Sequence, residues 1–158
     1  MNYLDTILLE IKTRLTNAID YENSPALYFS TISTAYNANL NDPNLPLCEI
    51  ILGREEVEEV LTNGTLEELS REIILYVRAK YTSTLTPQET YTKAFTIVRN
   101  TFKSPNYNFK ASMPSYVQSF DYDGTEQASI SEQESYIDFI INFKISYLSA
   151  MNNLTTGA

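Results

Sequence analysis

The stretch LCEIILGREEVEEVLTNGTLEELSREIILYVRAKY, residues 47–81, decides the fold. Both of its ends are rich in apolar residues, and Asn63-Gly64 near its centre favours a two-residue type I′ turn between antiparallel strands. With these two residues at the centre of the turn, Thr62 faces Thr65, which sets the register of the whole hairpin. Three apolar pairs then form its base: Leu52 with Leu75, Ile50 with Val77 and Cys48 with Ala79.

The outer half of this hairpin is rich in glutamate. The same register places Glu55 against Glu72 and Glu59 against Glu68, and like charges that face each other directly weaken a sheet. We therefore expect the tip to be twisted, bulged or frayed. The base would belong to the core, whereas the outer half would form a projecting acidic hairpin with too little apolar surface to be held by its own subunit.

A short acidic helix is the alternative for this segment, because Val57, Val60 and Leu61 also have helical spacing. Both interpretations leave glutamates exposed on a projection, which is useful chiefly for contacting another molecule. Aromatic residues of a predicted loop at 104–115 are further candidates, either as contact anchors or as residues that fill the core. The candidate assembly residues are Arg54, Glu55, Glu56, Glu58, Glu59, Asn63, Gly64, Glu67, Glu68, Tyr107 and Phe109.

Two amphipathic helices are predicted, one on either side of the hairpin. The first covers residues 2–20, and the second runs from about 87 to 103. The second has a strong start signal, because Thr86 is a good N-cap and Glu89 completes a capping box. The apolar stripe of the first helix consists of Leu4, Ile7, Leu8, Ile11, Leu15 and Ile19, and that of the second consists of Tyr91, Ala94, Phe95, Val98 and Phe102.

Between the first helix and the hairpin, residues 27–35 are rich in aromatic and β-branched side chains, which predicts a strand. Residues 37–46 contain turn-forming Asn and Asp and two prolines, so we expect a loop there. The polar end of the chain, residues 151–158, is expected to be a mobile tail.

The last third of the chain is predicted to form strands. Residues 116–122 and 125–131 would pair as a hairpin around the turn Asp123-Gly124. Residues 135–150 carry apolar side chains on both faces, which is typical of a central strand. Because 158 residues with 43% apolar content suit one domain, we predict a single α+β domain over residues 1–158. Its mostly antiparallel sheet would be flanked by the two helices.

Charge alternates in sign along the chain. Residues 1–48 carry a net −3, residues 49–72 carry −6, residues 73–110 carry +5 and residues 111–158 carry −5, for a total of −9. The acidic total disfavours general affinity for DNA phosphates. The alternation indicates either a solvated surface or patches of opposite sign that meet across identical subunits. Acidic residues near the N-terminus and the lack of a long apolar run predict a soluble, intracellular protein without a membrane partner.

Little in the sequence favours enzyme chemistry. There is no histidine, the single cysteine Cys48 lies in an apolar run, and the four glycines form no phosphate-binding loop. Asp121 to Thr125 resembles the first motif of haloacid-dehalogenase-type phosphatases, but the downstream motifs are missing. The same stretch nearly fits a calcium-binding EF-hand loop, with Glu126 where glycine is required. We therefore predict no catalytic residue, cofactor or metal site, with calcium binding or phosphatase activity as the enzyme-class alternative.

The order of the predicted elements resembles that of the tail-terminator and tail-completion proteins of long-tailed bacteriophages. Those are small α+β domains that form a ring on the tail tube. The segments that carry the resemblance are the helix at 3–19, LYFSTISTAYNANLNDPNLPLCEIILGREEVEE at 27–59, REIILYVRAKY at 71–81, the helix at 87–103 and SYIDFIINFKISYLSA at 135–150.

The resemblance implies a structural virion protein at the head-proximal end of the tail, assembled in the host cytoplasm. It would form a homo-oligomeric ring, a hexamer, that binds the last ring of tail tube protein and stops tube polymerisation. The same ring would offer a joining surface to the head-tail connector protein, and DNA would pass its lumen without specific binding. Two alternatives remain: a head-to-tail joining or adaptor protein, and a monomeric acidic regulatory binding module.

Overall fold

The computed structural model describes residues 3–34, 45–61, 66–103, 115–150 and 153–157. The elements in chain order are helix α1 (Tyr3–Thr16), strands β1 (Thr31–Ser33), β2 (Leu47–Leu61) and β3 (Leu66–Lys80), helix α2 (Pro87–Lys103), and strands β4 (Val117–Ser131), β5 (Tyr136–Ala150) and β6 (Asn153–Gly157). The predicted α+β class is therefore confirmed. The alternative of an acidic helix at 54–61 is wrong, because these residues belong to β2.

The described strands form one sheet in the order β1-β2-β3-β5-β4, with β6 paired to β5 off this path. β1 runs parallel to β2, and the other pairs are antiparallel. The predicted central position of residues 135–150 is confirmed, because β5 lies between β3 and β4. β5 pairs with β3 along its whole length, from Tyr136 to Ala150. The mostly antiparallel sheet of the prediction is therefore also confirmed.

One face of the sheet forms the core with the two helices, and we call it the helix face. Alternate residues of the central strands lie on it, where Phe139 contacts Tyr91 of α2 with ring centroids 4.9 Å apart. From α1, Ile7, Ile11 and Leu15 are fully buried in the same cluster. The core residues of β3 and β5 include Ile73, Leu75, Val77, Ile137, Phe139, Ile141, Phe143 and Ile145.

The ends of the helices follow local signals to different degrees. α2 has the predicted bounds, and the backbone N–H of Glu89 donates to the Thr86 hydroxyl at 3.3 Å, as expected of an N-cap. α1 ends earlier than predicted, at Thr16. Ile19 therefore leaves the apolar stripe, pairs with Leu27 in an isolated antiparallel bridge and is 48% exposed.

The register of the hairpin β2–β3 agrees with the prediction at the tip and differs from it at the base. Glu59 faces Glu68 as predicted, whereas the base is shifted by two residues. The cause is a pair of irregularities in β2, between Leu52 and Glu55 and between Val57 and Glu59. Each puts one additional residue into β2. The observed base pairs are Leu52 with Ile73, Ile50 with Leu75 and Cys48 with Val77.

The second irregularity, between Val57 and Glu59, also removes a predicted repulsion, because it shifts the pairing of Glu55 by one residue relative to the tip. Glu55 was expected to face Glu72, but in the bulged register it faces Arg71. The Arg71 guanidinium donates to the Glu55 carboxylate at 2.8 Å. The expectation of a bulged tip is thus confirmed, and the pairing of Glu55 with Glu72 is wrong because the chain exchanges a like-charge contact for an ion pair.

The predicted hairpin around Asp123-Gly124 is wrong. Residues 117–131 form one continuous strand, β4, that pairs with β5, and the chain turns instead at 132–135. Gly124 has a φ of 111° and lies at a register shift in β4. The Asp-Gly signal for a positive φ is therefore used in a bulge instead of a turn. The two segments predicted to pair with each other pair with β5 instead; Ser119, for example, faces Ser146, and Val117 faces Tyr147.

Three other predictions concern the irregular parts of the chain. The strand expected at 27–35 is limited to Thr31–Ser33, which pairs with the start of β2. Within the tail predicted to be mobile, residues 153–157 form β6, which pairs with the end of β5. Most of the loop predicted at 37–46, the turn Asn63-Gly64 and residues 104–114 lie outside the described residues.

Candidate assembly surface

All seven predicted assembly residues that the structure describes lie on the half of the sheet farther from β1. We call it the outer half; it comprises residues 54–61 of β2, 66–72 of β3, 144–150 of β5 and 117–121 of β4. β3 is an interior strand here, because β5 pairs with it throughout. β2 is the edge, since β1 pairs only with Leu47–Glu49 and no other described strand pairs with β2 on that side.

The second bulge places two valines of this edge on the same face. Val57 faces Leu69 and Val60 faces Glu67, and these two partners lie two residues apart on β3. In a regular strand, residues three apart point to opposite faces. Val57 is 58% exposed and Val60 is 52% exposed. The edge therefore presents an apolar pair on the helix face beside Leu69. This arrangement does not follow from the sequence if β2 is assumed to be a regular strand.

The opposite face of the edge carries carboxylates. Glu56 faces Ser70 and forms an ion pair with Arg54 at 3.3 Å. Glu58 accepts a hydrogen bond from the Ser70 hydroxyl at 2.5 Å, and the Lys144 ammonium lies 3.5 Å from the same carboxylate oxygen. The hydrogen bond from Ser70, assisted by the charge of Lys144, lowers the pKa of Glu58. This carboxylate is therefore held in its charged form.

Side chains from all four long strands meet in an open depression of about 370 Å³ on this face. Five carboxylates and one amine line it, so its net charge is strongly negative. Sequence reasoning missed the contributions of β4 and β5, because they are distant from the hairpin in the chain. The lining residues are Glu58, Glu59, Glu68, Ser70, Ser119, Asp121, Tyr122, Asp123, Lys144 and Ser146.

Glu55 differs from the other predicted assembly residues. It points to the helix face, where one of its carboxylate oxygens accepts hydrogen bonds from the Tyr147 hydroxyl at 2.7 Å and from Arg71 at 2.8 Å. Tyr147 is fully buried. Glu55 therefore holds β2 to the two central strands, and we assign it to the stability of the subunit instead of its surface.

The remaining predicted residues are placed in part. Arg54 is exposed on β2, with 77% of its side-chain surface accessible. Glu67 and Glu68 are half-buried on β3, where they face Ser149 and Leu148 of β5. The others, Asn63, Gly64, Tyr107 and Phe109, lie outside the described residues.

A second charged cluster lies away from this surface. The Lys93 ammonium of α2 is 3.0 Å from the Asp20 carboxylate and 3.1 Å from that of Glu22. Burial raises the pKa of Asp20, but hydrogen bonds from Asn23 and Lys93 outweigh it, so the pKa lies below its usual range. Lys93 does not belong to the predicted apolar stripe of α2, yet it is buried against the segment after α1. The cluster joins that segment to α2.

The described residues also bear on metal binding and on the single cysteine. Within the described ranges, no group of three or more Asp, Glu or Cys side chains is placed to hold a metal ion. Cys48 is fully buried, and burial together with the neighbouring Glu49 raises the pKa of its thiol. Neither described helix is long and apolar enough to span a membrane. No protein-family model matches the chain, and a search of curated proteins found no match.

Proposed function

We propose that the protein is a structural subunit of a ring that caps the tail tube of a long-tailed bacteriophage. The ring would stop tube polymerisation and join the tail to the head connector. The observation that carries the proposal is the edge of β2 in the outer half, which exposes Val57 and Val60 beside a row of carboxylates. An exposed apolar pair on a sheet edge is a liability for a monomer, because it invites pairing with other chains. An assembly subunit needs such a surface for its partners.

Two further features support the same function. The element order, from an N-terminal helix through the long acidic hairpin to a capped helix and a central strand, resembles that of tail terminators. The carboxylates of the depression suit a wall past which DNA moves, because they repel phosphates within the screening distance of about 8–10 Å. In this proposal the β2 edge of the outer half faces the lumen or a neighbouring ring, and it does so as part of the sheet, because β5 pairs with β3 as far as Leu66.

The absolute mass of the purified protein tests the proposal. It is measured by light scattering during size exclusion at low and moderate salt, with negative-stain images of the peak. A six-subunit species or visible rings would support the function. If the protein is a monomer, it is mixed with tubes assembled from the cognate tube protein. Binding at the tube ends would support the proposal, and a monomer that does not bind tubes would overturn it.

Charge variants show whether the outer half is the surface used. Glu56→Lys with Glu59→Lys reverses charge on the edge, whereas Glu132→Lys with Glu134→Lys makes the same change in the exposed turn at the opposite end of the sheet. The first pair should impair binding to the ends of tubes, and the control pair should not. Equal effects of the two pairs would contradict the assignment of the surface.

A monomeric acidic binding module is the second candidate, and one observation favours it. The other edge of the sheet, β4, also carries exposed carboxylates, among them Asp121 and Asp123. Acidic side chains on both edges disfavour contact between copies through those edges. This function predicts a monomer at every salt concentration, together with binding to a basic protein.

A further inference from the structure

We infer that the edge of β2 between residues 54 and 61 takes up an extended segment of a different protein as an additional strand, and that this segment alternates basic and apolar side chains. The inference goes beyond the proposed function, because it names the chemistry of a partner. It requires only this edge, and it holds equally for a ring subunit and for a monomeric module.

The backbone of β2 can accept an additional strand on its outer side. A strand presents N–H and C=O groups on both sides, and those on the inner side of β2 pair with β3 as far as Leu61. On the outer side, beyond Glu49, no described strand pairs with β2. An extended peptide that lies along this edge gains main-chain hydrogen bonds without displacing any strand of the described sheet.

The two exposed valines favour apolar residues in the added strand. Val57 and Val60 share the helix face, and the next residue inward from Val57 is Leu69, which is 2% exposed. The apolar surface of the core therefore continues to the edge and ends there uncovered. Every second side chain of an added strand would lie on this face, so apolar residues at those positions would cover both valines.

The carboxylates on the opposite face favour basic residues in the added strand. Glu56, Glu58 and Glu59 lie on the opposite face, where Arg54 and Lys144 are their cationic neighbours. Glu68 adds another carboxylate from β3. Negative charge therefore remains in excess along this face. The alternate side chains of an added strand would lie beside these groups, so lysine or arginine fits there and acidic residues do not.

A second copy of this chain does not fit the same edge. Pairing β2 with the β4 edge of another copy would bring these glutamates against Asp121, Asp123 and Glu126, which are exposed carboxylates. A symmetric pairing of two β2 edges would set glutamate against glutamate. Both β2 and β4 also carry bulges, which interrupt regular pairing. The charges thus reject copies and select a basic partner.

Synthetic peptides of about eight residues test the inference on the full chain. One peptide alternates Lys and Val, a second has the same sequence with alternate backbone nitrogens methylated, and a third alternates Glu and Val. Binding is measured by fluorescence anisotropy at about 50 and 300 mM salt. The first peptide should bind more than about tenfold more tightly than either of the others, and raising the salt should weaken it.

Variants then locate the site. Val57→Lys with Val60→Lys should weaken the Lys/Val peptide more than about tenfold, whereas Ile130→Lys, at the 51% exposed residue of the β4 edge, should leave its affinity unchanged. Glu56→Gln with Glu59→Gln keeps the side-chain shapes and should reduce both affinity and salt dependence. Hydrogen exchange should show new protection of backbone amides in residues 54–61.

Three results would overturn the inference: equal binding of the methylated peptide, equal effects of the β2 and β4 variants, or protection of amides elsewhere. Its failure is separable from failure of the proposed function, because the mass measurement needs no peptide. A ring that does not bind the peptides would refute only the inference about the partner strand. A monomer that binds the peptides but not the tubes would refute only the proposed ring function.

Discussion

Replacement of Glu55 by alanine should destabilise the subunit, whereas the same replacement of its neighbour Glu56 should not. The two side chains are adjacent in the sequence and point to opposite faces of the sheet. Glu55 accepts hydrogen bonds from Tyr147 and Arg71 on the helix face, while Glu56 pairs with Arg54 at the surface. The comparison therefore separates a contact that holds the subunit together from a contact that is left to solvent or a partner.

The expected magnitude follows from burial. Tyr147 is fully buried, and a buried hydroxyl that loses a charged acceptor costs about 1.5–3 kcal/mol. The ion pair adds about 1 kcal/mol or less, because Arg71 is 20% exposed, Glu55 is 32% exposed, and solvent screens them. Glu55→Ala should thus lower the free energy of unfolding by about 2–4 kcal/mol. For Glu56→Ala we expect a change within about 0.5 kcal/mol, since both partners are largely exposed.

Urea unfolding followed by circular dichroism at neutral pH measures both differences. In a thermal scan, Glu55→Ala should lower the Tm by about 5–15 °C in a domain of this size. Tyr147→Phe removes only the hydroxyl, and combining it with Glu55→Ala should give less than the sum of the two single effects. If Glu55→Ala is no more destabilising than Glu56→Ala, then the hydrogen bonds on the helix face do not hold β2 in place.

Three other expectations concern the rest of the chain. Lys93→Ala should lower the free energy of unfolding by about 1.5–3 kcal/mol in urea titrations, because the half-buried carboxylate of Asp20 loses its cationic partner and keeps only the hydrogen bonds from Asn23 and the Glu22 backbone. Since the pKa of Asp20 is lowered in the folded state, its contribution to stability is present above its ordinary pKa and is lost as the pH falls through the folded pKa. The stability of the Lys93→Ala variant should therefore fall less steeply below about pH 4 than that of the unchanged protein; parallel slopes would contradict the pairing. Gly124→Ala should cost about 1–3 kcal/mol in thermal unfolding although nothing lies within 4 Å of the added Cβ, because the φ of 111° is strained for any other residue; an unchanged Tm would show that the strand relaxes there.

The hairpin shows which parts of a register can be predicted from sequence. The tip was predicted correctly, because Glu59 and Glu68 are close to the turn that sets their pairing. The base was wrong by two residues, because each bulge in β2 adds a residue between the turn and the base. Repulsion between glutamates indicated that the strand would be irregular. It does not indicate where, since the position depends on Arg71, which faces Glu55 only in the bulged register.

The second error has a similar cause. Asp123-Gly124 indicates a positive φ, which both a tight turn and a bulge can use. The choice depends on β5, since an unbroken β4 pairs with it from Val117 to Ser131 and a hairpin at that point would leave half of β5 unpaired. By contrast, the start of α2 is predictable because Thr86 and Glu89 act locally. The depression was not predictable, because Asp121 and Lys144 reach it from strands distant in the chain.

The second bulge in β2 connects the fold to the proposed interface. It inserts Glu58 between residues that would otherwise alternate, so that Val57 and Val60 share one face and Glu56, Glu58 and Glu59 occupy the other. In a regular strand, one valine would lie among the glutamates, and an added strand would meet a mixed surface on both faces. The bulge interrupts pairing with a regular edge. It also separates the two valines from the glutamates at 56, 58 and 59, which lie on the opposite face. A partner strand that alternates basic and apolar residues is complementary to this edge, whereas a second copy of the chain, with its acidic edges, is not.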